Sequence, residues 1–241
     1  MLALAIDAPF AVCRHFTAGW NRPTAPFLTP SAVYGLLLNI ACLETRLKEE
    51  DSGHDGKTPS SLVRPGLPRL KVAIGIPETA AGTPALPRVQ TILQQLHNYP
   101  VGKDAGIPPA MTKGNKNNIS PVRREVLSEL RALIRVEADT WLLNRIEDGL
   151  QGKLNAERYG LPFLGDNQFL IDRIALQQQP SPAFWYRRLD SSDQELIEHT
   201  ARFTIWIDRA DMSRTSSALY APTDTSLNTP PDSAWTEIAP P

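Results

Sequence analysis

The sequence predicts an α+β domain of ferredoxin-like type, a βαββαβ unit carrying insertions. Three observations lead there. Apolar residues alternate with polar ones over residues 2–8, 69–77 and 124–136, the period of half-buried strands. They recur at helical spacing over about 31–48 and again after Thr140. The stretches between are crowded with Pro, Gly, Ser and Thr, and the 241 residues include 22 prolines, which fix bends rather than extend regular elements.

In chain order, Leu2, Leu4, Ile6 and Ala8 share one side of a first strand and Asp7 falls on the other. The loop from Arg14 to Leu28 mixes Arg14, His15, Trp20 and Arg22 with two phenylalanines, prolines and a glycine. It runs into Thr29, Pro30 and Ser31, a helix start with a capping hydroxyl and a proline suited to the first turn. Val33, Leu36, Leu37, Ile40 and Ala41 then form the apolar stripe. A loop of this composition, delivered to a helix N-terminus, can hold a phosphate or a stacked base. The same pattern also fits a plain strand-to-helix connection whose Trp20 and Phe27 cover the edge of the core.

A polar linker follows over 49–61, then a strand in which Leu70, Val72, Ile74 and Ile76 alternate. Residues 89–100 are ambiguous. Val89, Ile92, Leu93 and Leu96 suit a helix, Gln94, Gln95 and His97 suit an exposed hairpin, and an extended excursion is preferred because 103–121 reads as irregular. From Arg124 to Val136 the even positions are mainly apolar and the odd ones hold Glu125, Glu129, Arg131 and Arg135, a strand with one wet face, although Leu127, Leu130 and Ile134 leave a helix open. Leu142, Leu143, Ile146 and Leu150 mark a second helix ending near Gly152. Gly160, Pro162 and Gly165 build a turn-rich loop before a strand that starts around Phe169, Ile171 and Ile174. Phe184, Trp185 and Tyr186 form an aromatic cluster with an acidic helical turn after it, and Phe203, Ile205 and Ile207 line a last strand. Beyond Tyr220 the chain is rich in Pro, Thr and Ser and reads as an arm rather than a core element. The expected organisation is one domain over 1–220 and a tail over 221–241.

Several function classes find no support. The four histidines lack zinc-motif spacing, Cys13 and Cys42 stand alone, and there is no GxSxG, Walker loop or dinucleotide fingerprint; no cofactor and no metal is expected. The two cysteines, the broken apolar N-terminus and the lack of a spanning apolar run point to a cytoplasmic protein. Charge is the informative quantity. The net charge is −1, yet residues 57–135 carry 12 basic and 4 acidic residues. Such segregation fits one face meeting a polyanion and another meeting protein. Arg14, His15, Trp20, Asn21 and Arg22 combine cations with an aromatic platform, the mixture that holds single-stranded RNA. Arg64, Arg69, Lys71, Arg88, Lys103, Lys113, Lys116, Arg123 and Arg124 would continue a backbone track. A metal-independent ribonuclease needs only an acid, a base and a cation, which His15, Tyr34 and Lys116 would supply if they converged; a free-standing RNA chaperone is the third alternative.

The segment Thr29 to Leu38, with Gly35 inside the helix, resembles the opening of the CRISPR-associated Cas-five family, a subunit of Cascade complexes. Residues 161–173, LPFLGDNQFLIDR, and 202–220, RFTIWIDRADMSRTSSALY, resemble later segments of type I-B, Myxococcus-type members. The resemblance implies an RRM-like RAMP domain with a β-hairpin thumb inserted within about 78–124 and an irregular C-terminal arm. It implies a non-catalytic subunit that caps the 5′ handle of the CRISPR RNA and supports target DNA recognition, in contact with the Cas-seven backbone and the large Cas-eight subunit. Transposition proteins would join these partners if the complex guides a transposon. By position, Arg14 to Arg22 would meet the handle beside Ser31 and Tyr34, and Lys113 to Arg124 would belong to the thumb or its base. Members that cut the precursor use a tyrosine, lysine and histidine set; here Asn117 follows Lys116 where histidine would stand.

Overall fold

The computed structural model describes residues 1–14, 20–47, 62–100, 105–156, 158, 160–190 and 197–240, and of 97–100 and 109 the backbone alone. The spine is β5 (Asn117–Ala138), a strand of 22 residues. β1 (Leu2–Ala11) lies antiparallel to its second half, from Leu2 opposite Val136 to Ala11 opposite Leu127. On the other side β3 (Leu70–Pro77) pairs from Leu70 opposite Ala138 to Gly75 opposite Leu133. β6 (Arg173–Leu176) adds to the free edge of β1. The sheet order β6-β1-β5-β3, with α1 (Pro30–Ile40) and α2 (Thr140–Leu150) in the connections, is the antiparallel βαββαβ arrangement of a ferredoxin-like domain.

The helices pack on the sheet face that carries Leu4, Ile6, Leu130, Ile134 and Val136, and all of these residues belong to one buried cluster with Val33, Leu37, Leu142 and Ile146. The even positions of β5 from Val122 to Val136 are buried, as the alternation requires. Its odd face is only partly wet. Leu133 and Arg135 are covered there, Leu133 in a second cluster with Ala73, Ala183, Trp185 and Ala234 and Arg135 beside the chain at Asn228, whose carbonyl accepts from its guanidinium at 3.5 Å.

The first half of β5 leaves the sheet core and pairs with β4 (Arg88–Pro100), giving a long hairpin from Arg88 opposite Ser128 outward. The ambiguous stretch is therefore a strand. Residues 117–121, read from sequence as irregular, are strand too, because the partner in β4 supplies hydrogen bonds that no local pattern announces. Glu129, at φ 58°, sits where β5 passes from β3 to β4 as its neighbour.

Other departures have local causes. α1 ends at Ile40 rather than near 48: Cys42 takes φ 53°, and the bonds Cys42 N–H to Asn39 O and Leu43 N–H to Leu38 O close a left-handed cap without glycine. Phe169 and Ile171 precede β6 and lie in the turn-rich loop, where Phe169 N–H donates to Asp166 O. The aromatic trio is a strand, β7 (Ala183–Arg188); most of the acidic turn expected after it lies outside the described residues. β8 (Ala201–Trp206) and β9 (Ser216–Pro222) extend the sheet in the order β7-β9-β8. The C-terminal arm is irregular over most of its length and closes as β10 (Thr236–Ile238), opposite Leu70–Val72 of β3. Composition suggested no core element there, but Ile238 is fully buried, since β7 takes only the far half of the β3 edge, Gly75–Pro77.

The crossing of the two helices is tight. A Cβ on Gly149 would lie 2.0 Å from Ile40 O, whereas one on Gly35 would meet nothing within 4 Å. We expect Gly149→Ala to lower stability by about 1–3 kcal/mol, as overpacking against backbone does, and Gly35→Ala to raise it by up to about 1 kcal/mol through helix propensity. Urea unfolding of the two variants checks the pair.

Candidate nucleic-acid interface

The loop after β1 returns along the hairpin. Arg14 bridges to Thr24, and β2 (Asn21–Arg22) runs parallel to β5, Asn21 beside Arg123 and Arg22 beside Arg124. Thr24 fixes this turn: its hydroxyl accepts from Cys13 N–H at 2.9 Å, and its own N–H donates to Glu125 Oε2. The Arg123 N–H then reaches Trp20 O at 2.7 Å, and the Arg123 guanidinium sits 5.0 Å from the centre of the Trp20 ring, within cation–π range. Trp20 remains 61% exposed.

Arg124 occupies an even, inward position of β5 and is 1% exposed. Its charge is met by Asp166, which it contacts through Nη1 and which also lies 3.5 Å from Arg14 Nη2. Burial pushes the Asp166 carboxyl up, but the Gln168 N–H, Arg124 and Arg14 outweigh it and hold it below the usual carboxylate range. Gly165 makes this approach possible: at φ +79°, a Cβ there would lie 1.7 Å from Val12 O. Arg14 keeps 52% of its side chain exposed beside the pair. Partial burial and the charge of Arg124 both favour its losing the proton, although Asp166 opposes this.

Three clefts follow one another from this point. The first, about 790 Å³, is lined by Arg14 and Arg46 together with Leu161, Phe163 and Leu170. Through Thr45 and Arg46 it joins a second of about 450 Å³, where Ser31, Tyr34 and Gly35 of α1 face Trp206 and Arg209. Trp206 and Arg209 also border a third of about 240 Å³, with Arg64 and Arg214. Five arginines thus border a furrow of three clefts linked by shared lining residues, the middle one against the N-terminal half of α1. Glu44 holds Arg46 at 3.0 Å and Asp211 holds Arg214 at 3.4 Å, which orients the guanidinium groups and tempers their charge. Tyr34 and Trp206 meet edge to face at 5.7 Å in the middle cleft. Tyr34 gives its hydroxyl to Pro68 O at 2.9 Å, and burial pushes its phenol far up while nearby Arg64 partly offsets this.

Of the residues singled out from sequence, Arg14, Ser31, Tyr34 and Arg64 line this furrow. Trp20, Asn21, Arg22 and Arg123 gather part-way along the hairpin, where Leu93 lies opposite Arg123. Lys113 and Lys116 are exposed at its far end. Arg124 is inside, held by Asp166, and His15 lies outside the described residues. Sequence reading missed Arg46, Trp206, Arg209 and Arg214. The last three sit in 202–220, where DRADMSR balances two arginines with two aspartates and so gives no net charge signal; nothing local distinguishes Arg46.

Removing the carboxylate leaves Arg124 as an uncompensated interior charge. We expect Asp166→Asn to cost about 3–5 kcal/mol at neutral pH. Because the Asp166 carboxyl is held low in the folded state, its contribution is complete above the ordinary carboxylate range and lost as pH falls through the lowered value. Urea titrations of parent and variant should therefore differ most at neutral pH and converge in acid.

No family model matches the chain, and no curated protein does. Among solved structures it is similar to a chain of a "CRISPR RNA-guided surveillance complex", at 13% identity over 94% of this chain and 90% of that chain, with a TM-score of 0.54. A "Crystal structure of Cas protein" is similar at 13% identity over 92% and 93% of the two chains, with a TM-score of 0.44. At such identity the likeness is one of fold: the ferredoxin-like sheet and its additions align with the surveillance-complex chain over nearly their whole length.

Proposed function

We propose that this chain is a non-catalytic RNA-binding subunit of a Cascade-type CRISPR complex, a Cas-five-like component that holds the 5′ handle of the CRISPR RNA. The observation that carries the reading is the furrow bordered in turn by Arg14, Arg46, Arg209, Arg64 and Arg214, with Phe163 in its first cleft and Trp206 in the other two. Guanidinium groups suit phosphate oxygens by geometry as well as charge. Aromatic rings beside them suit the splayed bases of a single strand. The fold shared with a surveillance-complex chain supports the same reading.

In this arrangement the handle lies in the furrow, and the β4–β5 hairpin serves as the thumb, with Lys113 and Lys116 near its tip and the Trp20–Arg123 stack part-way along it. The Cas-seven backbone and the large Cas-eight subunit are the protein neighbours, in the cytoplasm. Target DNA is chosen by base pairing with the guide while the protein reads backbone and shape, the logic described for other RNA-guided effectors.

Charge reversal of Arg14 would set a carboxylate against Asp166, so a neutral replacement is the cleaner test. We expect Arg14→Gln with Arg209→Gln to weaken binding of handle RNA about tenfold or more and to flatten the salt dependence of the affinity, with the circular dichroism spectrum unchanged. Equal affinity of parent and variant in filter binding at low salt overturns the assignment. Precursor repeat RNA incubated with the protein and a chelator should stay intact; specific cleavage would replace this reading with a metal-independent ribonuclease.

A further inference from the structure

The outer side of a sheet presents unpaired backbone N–H and C=O groups, and folded proteins guard it with short strands, charges, prolines, bulges or a covering element. The edges here are guarded unequally. β6 has four residues and begins with Arg173. β8 has six, carries Arg202 and lies against α1. β10 has three. β4 has thirteen, and among the described residues it pairs with β5 alone. From Val89 to Tyr99 it contains no Asp, Glu, Lys, Arg or Pro, and its register with β5 runs unbroken from Arg88 to His97. Val89 and Leu93, on the same side of the strand, are 51% and 73% exposed.

This edge is complementary to itself. An antiparallel two-fold axis through Thr91 sets Val89 opposite Leu93 of the second copy and Leu93 opposite Val89. It also sets Thr91 opposite its own counterpart and Arg88 opposite Gln94. Apolar and Thr–Thr cross-strand pairs are the kind that stabilise antiparallel ladders, and no like charges meet. We propose that the outer edge of β4 pairs with the β4 edge of a second copy, joining two sheets into one about that axis. The contact is isologous, so it closes as a dimer rather than growing into a fibre. This inference does not depend on the RNA-binding reading; either can fail without the other.

The test uses the full chain without RNA in sedimentation velocity across the micromolar range. The parent should pass from monomer to dimer with concentration. Val89→Lys with Leu93→Lys sets lysines against each other at both pairs and should be monomeric throughout. Val89→Lys with Leu93→Glu sets each lysine opposite a glutamate and should restore the dimer in a salt-sensitive form. Circular dichroism establishes that both variants fold, since both side chains are exposed at their positions. A parent that stays monomeric overturns the proposal, as does a dimer that both double variants leave untouched or abolish alike.

Discussion

A guanidinium enclosed in a sheet has to be neutralised where it lies, and Arg124 imposes that condition on everything around it. It stands at the inward position of β5 just where the strand leaves the core to become half of a hairpin. Its carboxylate comes from Asp166, more than forty residues later, on a loop that can approach only because Gly165 leaves room for Val12 O. Interior ion pairs seldom exceed an apolar pair in net stability. What this one contributes is position: it registers the loop over 160–170 against the end of β1 and draws Arg14 alongside.

From that junction the molecule divides into a rigid part and a part that presents charge. β1, β3, β5 and the two helices bury a continuous apolar cluster, the dominant favourable term in folding. Around its rim, loops and strand ends deliver arginines from four distant stretches of chain into one furrow. Asp208 illustrates how little freedom is left there. Its carboxylate accepts from the N–H groups of Ala210 and Asp211, both at 2.9 Å, fixing the turn that carries Arg209 into the furrow.

The acidic residues of the furrow are as informative as the basic ones. Glu44, Asp166 and Asp211 each hold an arginine, and the Arg46 pairing holds the Glu44 carboxyl low despite its partial burial. An arginine already oriented by a carboxylate loses less side-chain freedom when a phosphate arrives. The net charge of the chain, close to zero, is therefore compatible with arginines gathered in one furrow, because carboxylates offset part of their charge on the spot and the remaining acidic residues lie elsewhere.

Much of this was legible in the chain itself. Alternation at Leu2 to Ala8 and at Leu70 to Ile76 pointed to two core strands, and at the even positions from Val126 to Val136 it favoured a third while leaving a helix open; the structure makes all three strands, though Ala73, Leu133 and Arg135 are buried on their other side as well. The helix start at Thr29 was equally local, its hydroxyl accepting from Ala32 N–H at 3.3 Å. Of the Arg14–Arg22 loop, Arg14 borders the furrow, whereas among the described basic residues of the stretch 57–135 only Arg64 does. Tertiary structure alone decided the rest. That Arg124 is buried and paired, that Arg46, Arg64, Arg209 and Arg214 share a furrow with Arg14, that residues 117–121 are strand and that Ile238 returns to the core all depend on partners far away in sequence. Periodicity reports which side of an element is apolar; it carries no information about which distant element will be laid against that side, and the furrow consists of such meetings.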